Sequence, residues 1–167
     1  SPNDRGHTLV KMTGTGLTKD NWNQFINRFG IKNVYESWGS TEGNANTLNF
    51  DNKVGSCGRV PYWEKTNLRI VKYDQDTNTH PKNAAGFYIP CQPGEVGEAI
   101  AYIVESPMTG GGRFEGYTSK EATEKKILRN VFSEGDKWWS SGDLLKYDED
   151  GYCYFVDRIG DTFRWKS

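Results

Sequence analysis

The chain has 167 residues, with 21 Lys and Arg against 22 Asp and Glu, for a formal net charge of −1. That balance supplies no global field to recruit nucleic acid or anionic lipid, and no apolar run approaches the ~20 residues that cross a bilayer as a helix. Six Trp, nine Tyr, eight Phe and 19 Gly point to short strands and tight turns rather than a helix bundle. Three widely spaced cysteines without a Cys-x-x-Cys pair, and two distant histidines, argue against a zinc site or a disulfide scaffold and fit a reducing compartment.

The clearest element is a helix from Lys19 to Phe29. Thr18 suits its N-cap, Trp22, Phe25, Ile26 and Phe29 fall at i, i+3, i+4 and i+7, and Gly30 is a stop. Ile31 to Tyr35 then reads as a strand, an α/β arrangement in which ligands collect at the carboxyl ends of strands. At that end lies Glu36-Ser-Trp-Gly-Ser-Thr-Glu-Gly-Asn44. Trp38 can face a base, Gly39 lets backbone approach it, the Ser40 and Thr41 hydroxyls can donate to phosphate, and Glu42 can hold Mg²⁺. The same letters also suit a plain polar loop.

From about Lys53 the pattern changes. Asn67–Tyr73, Glu98–Val104, Lys137–Trp139, Asp143–Tyr147 and Tyr152–Val156 read as strands, with a hairpin turn at Asp148-Glu-Asp-Gly151. Thr118-Ser-Lys-Glu121 resembles a capping box, predicting a helix over Ala122 to Phe132. The expected fold is therefore α/β followed by a mainly antiparallel, barrel-like β subdomain. The divisions are residues 1–52, 53–156 and a short segment 157–167 leading onward. The start at Ser1 and the end at Arg164-Trp-Lys-Ser167, without a stop signal, suggest a piece of a longer polypeptide.

Ser141-Gly-Asp143 places a carboxylate at a strand edge, where it can accept hydrogen bonds from two vicinal hydroxyls of a ribose. Antiparallel pairing across the 148–151 hairpin brings Arg158 back near Asp143, where a surface ion pair explains the two equally well. Gly14-Thr-Gly16 is a weak Gly-x-Gly signal that also suits a turn. Gly110-Gly-Gly-Arg113 lacks the Gly-Lys-Ser/Thr ending of a phosphate loop, and Asp148-x-Asp-Gly151 lacks the first and last ligands of a calcium loop.

Taken in order, Glu36–Asn44, Lys53-Val-Gly-Ser-Cys-Gly58, Gly94-Glu-Val-Gly97, Phe114-Glu-Gly-Tyr117, Ser141-Gly-Asp-Leu-Leu145 and Asp157-Arg-Ile-Gly-Asp-Thr-Phe-Arg-Trp165 resemble the fatty acid transport proteins. These are very long-chain acyl-CoA synthetases of the adenylate-forming superfamily. The likeness runs nearly end to end, and places the chain in the large N-terminal domain of such an enzyme. It implies an ATP-dependent fatty acid–CoA ligase that uses Mg²⁺, with CoA as co-substrate. It also implies a parent associated with endoplasmic reticulum, peroxisomal or plasma membrane at the intracellular face. By the same resemblance Trp38 stacks on adenine beside Gly14, Gly16 and Gly39. Ser40 and Thr41 meet phosphate, with Thr41 on the α-phosphate, and Glu42 ligates Mg²⁺; Thr41 and Glu42 are the catalytic pair. Asp143 and Arg158 hold the ribose, and Gly160 is the hinge. The upstream phosphate loop and the C-terminal lysine of the superfamily are absent from these residues, so the chain alone is expected to be inactive. Two other classes remain: a non-catalytic nucleotide-binding or interaction module, and a carbohydrate-binding β domain using Trp138 or Trp139 as a sugar platform.

Overall fold

The computed structural model describes residues 3–41, 43–104, 114, 116 and 119–160. The first layer is built from β1 (Lys11–Gly14), α1 (Lys19–Phe29), β2 (Asn33–Gly39) and β3 (Asn46–Asn49). β1 runs parallel to β2, and β3 pairs antiparallel on its other side. α1 begins and ends where its sequence dictates. Thr18 accepts from the Asn21 amide, and Gly30 sits at φ 72° with its N–H donating to the Ile26 carbonyl. Of its apolar stripe, Trp22 is fully buried and Phe25, Ile26 and Phe29 are half-buried.

The second layer is an antiparallel sheet of β4 (Gly58–Arg59), β5 (Leu68–Lys72), β6 (Gly97–Tyr102), β7 (Ile127–Arg129), β8 (Lys137–Tyr147) and β9 (Tyr152–Arg158). Its order is β4-β9-β8-β6-β5, with β7 also paired to β8. The turn joining β8 to β9 is the expected one: Gly151, at φ 82°, donates to the Asp148 carbonyl at 3.0 Å. Leu68, Ile70, Ala99, Ala101, Trp139 and Leu145 fill the inner face, and Trp38 reaches into this core from β2. One indole thus ties the two layers together.

Four expectations are corrected. The helix over Ala122 to Phe132 is only α2 (Lys120–Lys125), capped by Ser119; Thr118 lies outside the described residues. Ile127–Arg129 instead pairs with the edge of β8, and Val131 is buried against Ile100 and Trp138, so tertiary burial overrides local helix propensity. The strands expected over Lys137–Trp139 and Asp143–Tyr147 are one strand interrupted by a bulge. Trp138 and Trp139, 6% and 1% exposed, are core residues with no face for a sugar. β2 also extends through Trp38 and Gly39, residues the sequence suggests for a loop, while β1, β3 and β4 carry no clear strand pattern. No helix among the described residues is long and apolar enough to cross a membrane.

Candidate functional site

Between the two layers lies a cavity of about 740 Å³, lined by the β1–α1 turn, the end of β2 and the β8–β9 hairpin arms. Asp143 is among its lining residues. The hairpin brings Arg158 near Asp143, as expected, and a one-residue register shift between Leu144 and Leu145 sets the two directly opposite each other; the Arg158 Nε donates to Asp143 Oδ1 at 3.1 Å. From the other layer, the Trp38 indole N–H donates to Asp143 Oδ2 at 2.9 Å. Each carboxylate oxygen therefore holds one protein donor. A carboxylate has about four acceptor positions, so two remain for vicinal hydroxyls. The Asp143 side chain is 11% exposed and that of Arg158 57%. The pair is half sheltered and open to a ligand.

A bulge in β8 aims this carboxylate. Ser141, Gly142 and Asp143 together face the single residue Ala99 of β6. Gly142 takes φ 78°, which glycine adopts without penalty. Ser141 Oγ donates to the Ala99 carbonyl at 2.6 Å and accepts from the Asp143 amide at 3.0 Å. The bulge is held by side chains where the ladder lapses.

At the other wall, the side chain of Glu36 turns into the cavity, two residues before Trp38 and on the same face of β2. Its Oε1 accepts from the amides of Gly16 and Leu17, the latter at 3.0 Å. Its Oε2 is buried with no partner among the described residues. A buried acceptor of this kind is costly unless something donates to it. Sequence reasoning gave Glu36 no role. The available signal was the two-residue period that puts it beside Trp38.

Of the other sequence-predicted residues, Gly16 lines the cavity at φ 98°. Gly14 lies behind it, its carbonyl accepting from Ser37 Oγ at 3.0 Å. Gly39 also lines the cavity, but a Cβ there would meet Asn46 Cβ at 3.1 Å, so close strand packing also favours its small size. Trp38 lines the cavity with 4% of its surface exposed, less than an open stacking platform offers. Ser40 and Thr41 follow the last lining residue of β2, with Ser40 Oγ buried. Glu42 lies outside the described residues. Among the described residues no group of three His, Cys, Asp or Glu side chains is placed to hold a metal ion.

Cys57 also borders the cavity, but burial pushes its thiol up to about 12, so it carries no nucleophilic thiolate near neutral pH.

The two-layer fold is that of part of the large domain of adenylate-forming enzymes. ATP-bound MatB from Rhodopseudomonas palustris superposes with a TM-score of 0.59 at 23% identity, over 90% of this chain and 25% of that one. Long-chain fatty acid transport protein 2 of Rattus norvegicus is 44% identical over 99% of this chain and 26% of its own length. Long-chain fatty acid transport protein 1 of Homo sapiens is 44% identical over 98% of this chain and 25% of its own length. The chain belongs to the fatty acid transport protein family. It spans about a quarter of the length of these relatives. No family model matches it.

Proposed function

We propose that the protein carrying this chain is an ATP-dependent fatty acid–CoA ligase, and that these residues supply its adenosine-binding wall. The observation that carries the reading is Asp143, held between Trp38 and Arg158 inside a cavity with two acceptor positions to spare. Those positions suit the two ribose hydroxyls. The unpartnered Glu36 Oε2 suits the exocyclic amine of adenine, on the wall that the Trp38 ring shares. A cavity of about 740 Å³ has room for a nucleotide.

In this reading a fatty carboxylate oxygen attacks the α-phosphorus of ATP, forming acyl-adenylate and releasing pyrophosphate. The CoA thiolate then attacks the acyl carbon and AMP leaves. The chain's contribution is to fix the adenosine so that the α-phosphorus meets its attacker in line, and fixed geometry of that kind can be worth about 7 kcal/mol or more. Ser40 and Thr41 lead toward the phosphates. Glu42 is assigned to Mg²⁺, which neutralises phosphate charge when bound. The parent's membrane association, at endoplasmic reticulum, peroxisome or plasma membrane, belongs to the same proposal.

The test is to incubate the purified full-length protein with a long-chain fatty acid, ATP, Mg²⁺ and CoA. Acyl-CoA and AMP are expected in equal amounts, with acyl-adenylate accumulating when CoA is withheld. Nucleotide binding with neither product would favour a non-catalytic module instead.

A further inference from the structure

A second buried cluster adjoins the β8 bulge on the side away from the cavity. Glu98, on β6, is 1% exposed. Its Oε1 accepts from the Gly142 amide at 2.9 Å and from Ser140 Oγ at 2.5 Å. Its Oε2 lies 2.5 Å from His80 Nε2. His80 is itself fixed, stacked on Tyr88 at 4.7 Å between ring centroids and edge-on to Tyr73 at 5.1 Å. A charged group here is costly to bury unless each oxygen is matched, and both are. The set is not a hydrolytic triad: Ser140 bonds the carboxylate rather than the imidazole, so the His80 ring does not touch the hydroxyl.

We propose that Glu98, braced by His80, is a positioning residue for the nucleotide site, acting through the bulge that carries Asp143. The Gly142 N–H falls in the lapse of the β6–β8 ladder, and its neighbour Asp143 makes the contacts with Trp38 and Arg158. Glu98 is the acceptor that replaces the missing ladder carbonyl. On the next peptide, the Gly142 carbonyl accepts from the Ile159 amide at 2.7 Å, tying the same bulge to the end of β9 beside Arg158. Without Glu98 the Gly142 amide is a buried orphan, and the bulge relaxes to recover a partner. The carboxylate of Asp143 then loses its aim while the fold persists. This inference rests on the reading of Asp143 as the ribose-binding group.

The test measures KM for ATP and for fatty acid in the full-length protein, with Asp143→Ala as reference. Glu98→Ala is expected to raise KM for ATP about tenfold and to leave KM for fatty acid within about twofold. Glu98→Gln keeps an acceptor for the Gly142 amide and is expected to stay within about threefold of the parent for both. If Glu98→Ala does not fold, His80→Ala carries the same test, with a rise of several-fold for ATP alone. Because Glu98 acts through Asp143, the Glu98→Ala/Asp143→Ala double variant is expected to be no worse for ATP than the poorer single variant. Additive losses, or equal rises in both KM values, would make Glu98 an ordinary core residue and overturn the inference. A raised KM for ATP in Asp143→Ala but in neither Glu98→Ala nor His80→Ala would overturn it while leaving the ribose reading intact. No effect of Asp143→Ala itself would remove the ribose reading, and the positioning role with it.

Discussion

At the scale of single residues, the site is a matter of which acceptors are already taken. Glu36 spends one oxygen on two backbone amides and leaves the other buried at the cavity wall with no partner among the described residues. In Glu36→Gln the amide oxygen takes over the bonds from Gly16 and Leu17, which turns an NH₂ donor toward the ligand. A donor facing the adenine amine is repulsive, whereas it matches the 6-oxo group of guanine. The preference for ATP over GTP, measured as a ratio of kcat/KM in the full-length protein, is expected to fall about tenfold or more. An unchanged ratio would detach Glu36 from the base. Its role was hard to read from sequence because a lone acidic residue in a strand gives no sign of which oxygen is occupied. Asp143 and Arg158 were legible as near neighbours because a hairpin of known turn brings these strand ends together. The one-residue register shift between Leu144 and Leu145 that sets them directly opposite each other left no sign in the sequence.

At the scale of elements, local signals succeeded where the backbone satisfies itself. α1 and the β8–β9 turn carry their own caps and glycines, and they form where the sequence places them. Segments that depend on a distant partner were not legible. Ile127–Arg129 has an amphipathic helical spacing, yet it is a strand because the edge of β8 offers it hydrogen bonds. Asp136 secures the turn between the two. It accepts from the amides of Val131 (2.6 Å), Phe132 (2.9 Å) and Ser133 (3.1 Å), and from the Trp138 indole at 2.9 Å. Burial opposes its charge, but these donors outweigh it and hold the carboxyl below its ordinary value. A depressed folded value means that the stabilisation is complete above the ordinary Asp value of about 4 and is lost as pH falls through the lower, folded one. Asp136→Asn is expected to cost about 1–2 kcal/mol of local stability. Hydrogen exchange over 127–138 would show faster opening of the variant at pH 6, and a gap to the parent that narrows toward pH 3. A gap independent of pH would mean that the charge of Asp136 contributes nothing.

At the scale of the molecule, the two layers differ in how well they are covered. The antiparallel sheet has a continuous inner core, whereas parallel β1 has no fully buried residue. Parallel strands are normally covered on both faces. Leu9, Val10 and Phe50, at 61%, 64% and 68% exposed, lie around that thin layer. The 167-residue chain on its own is therefore expected to bind a hydrophobic dye and to self-associate at high concentration, more than an ordinary monomer of its size. A dye-silent monomer would show that this surface is adequately covered.

The central claim is that Asp143 grips the ribose of ATP. The most direct measurement compares kcat/KM for ATP and for 2′,3′-dideoxy-ATP in the full-length protein and in its Asp143→Ala variant. Two hydrogen bonds to a charged acceptor predict a preference for ATP of about a hundredfold in the parent, collapsing to about threefold or less in the variant as KM for ATP rises with kcat little changed. A preference that survives Asp143→Ala undiminished, with KM for ATP unaltered, would contradict the account.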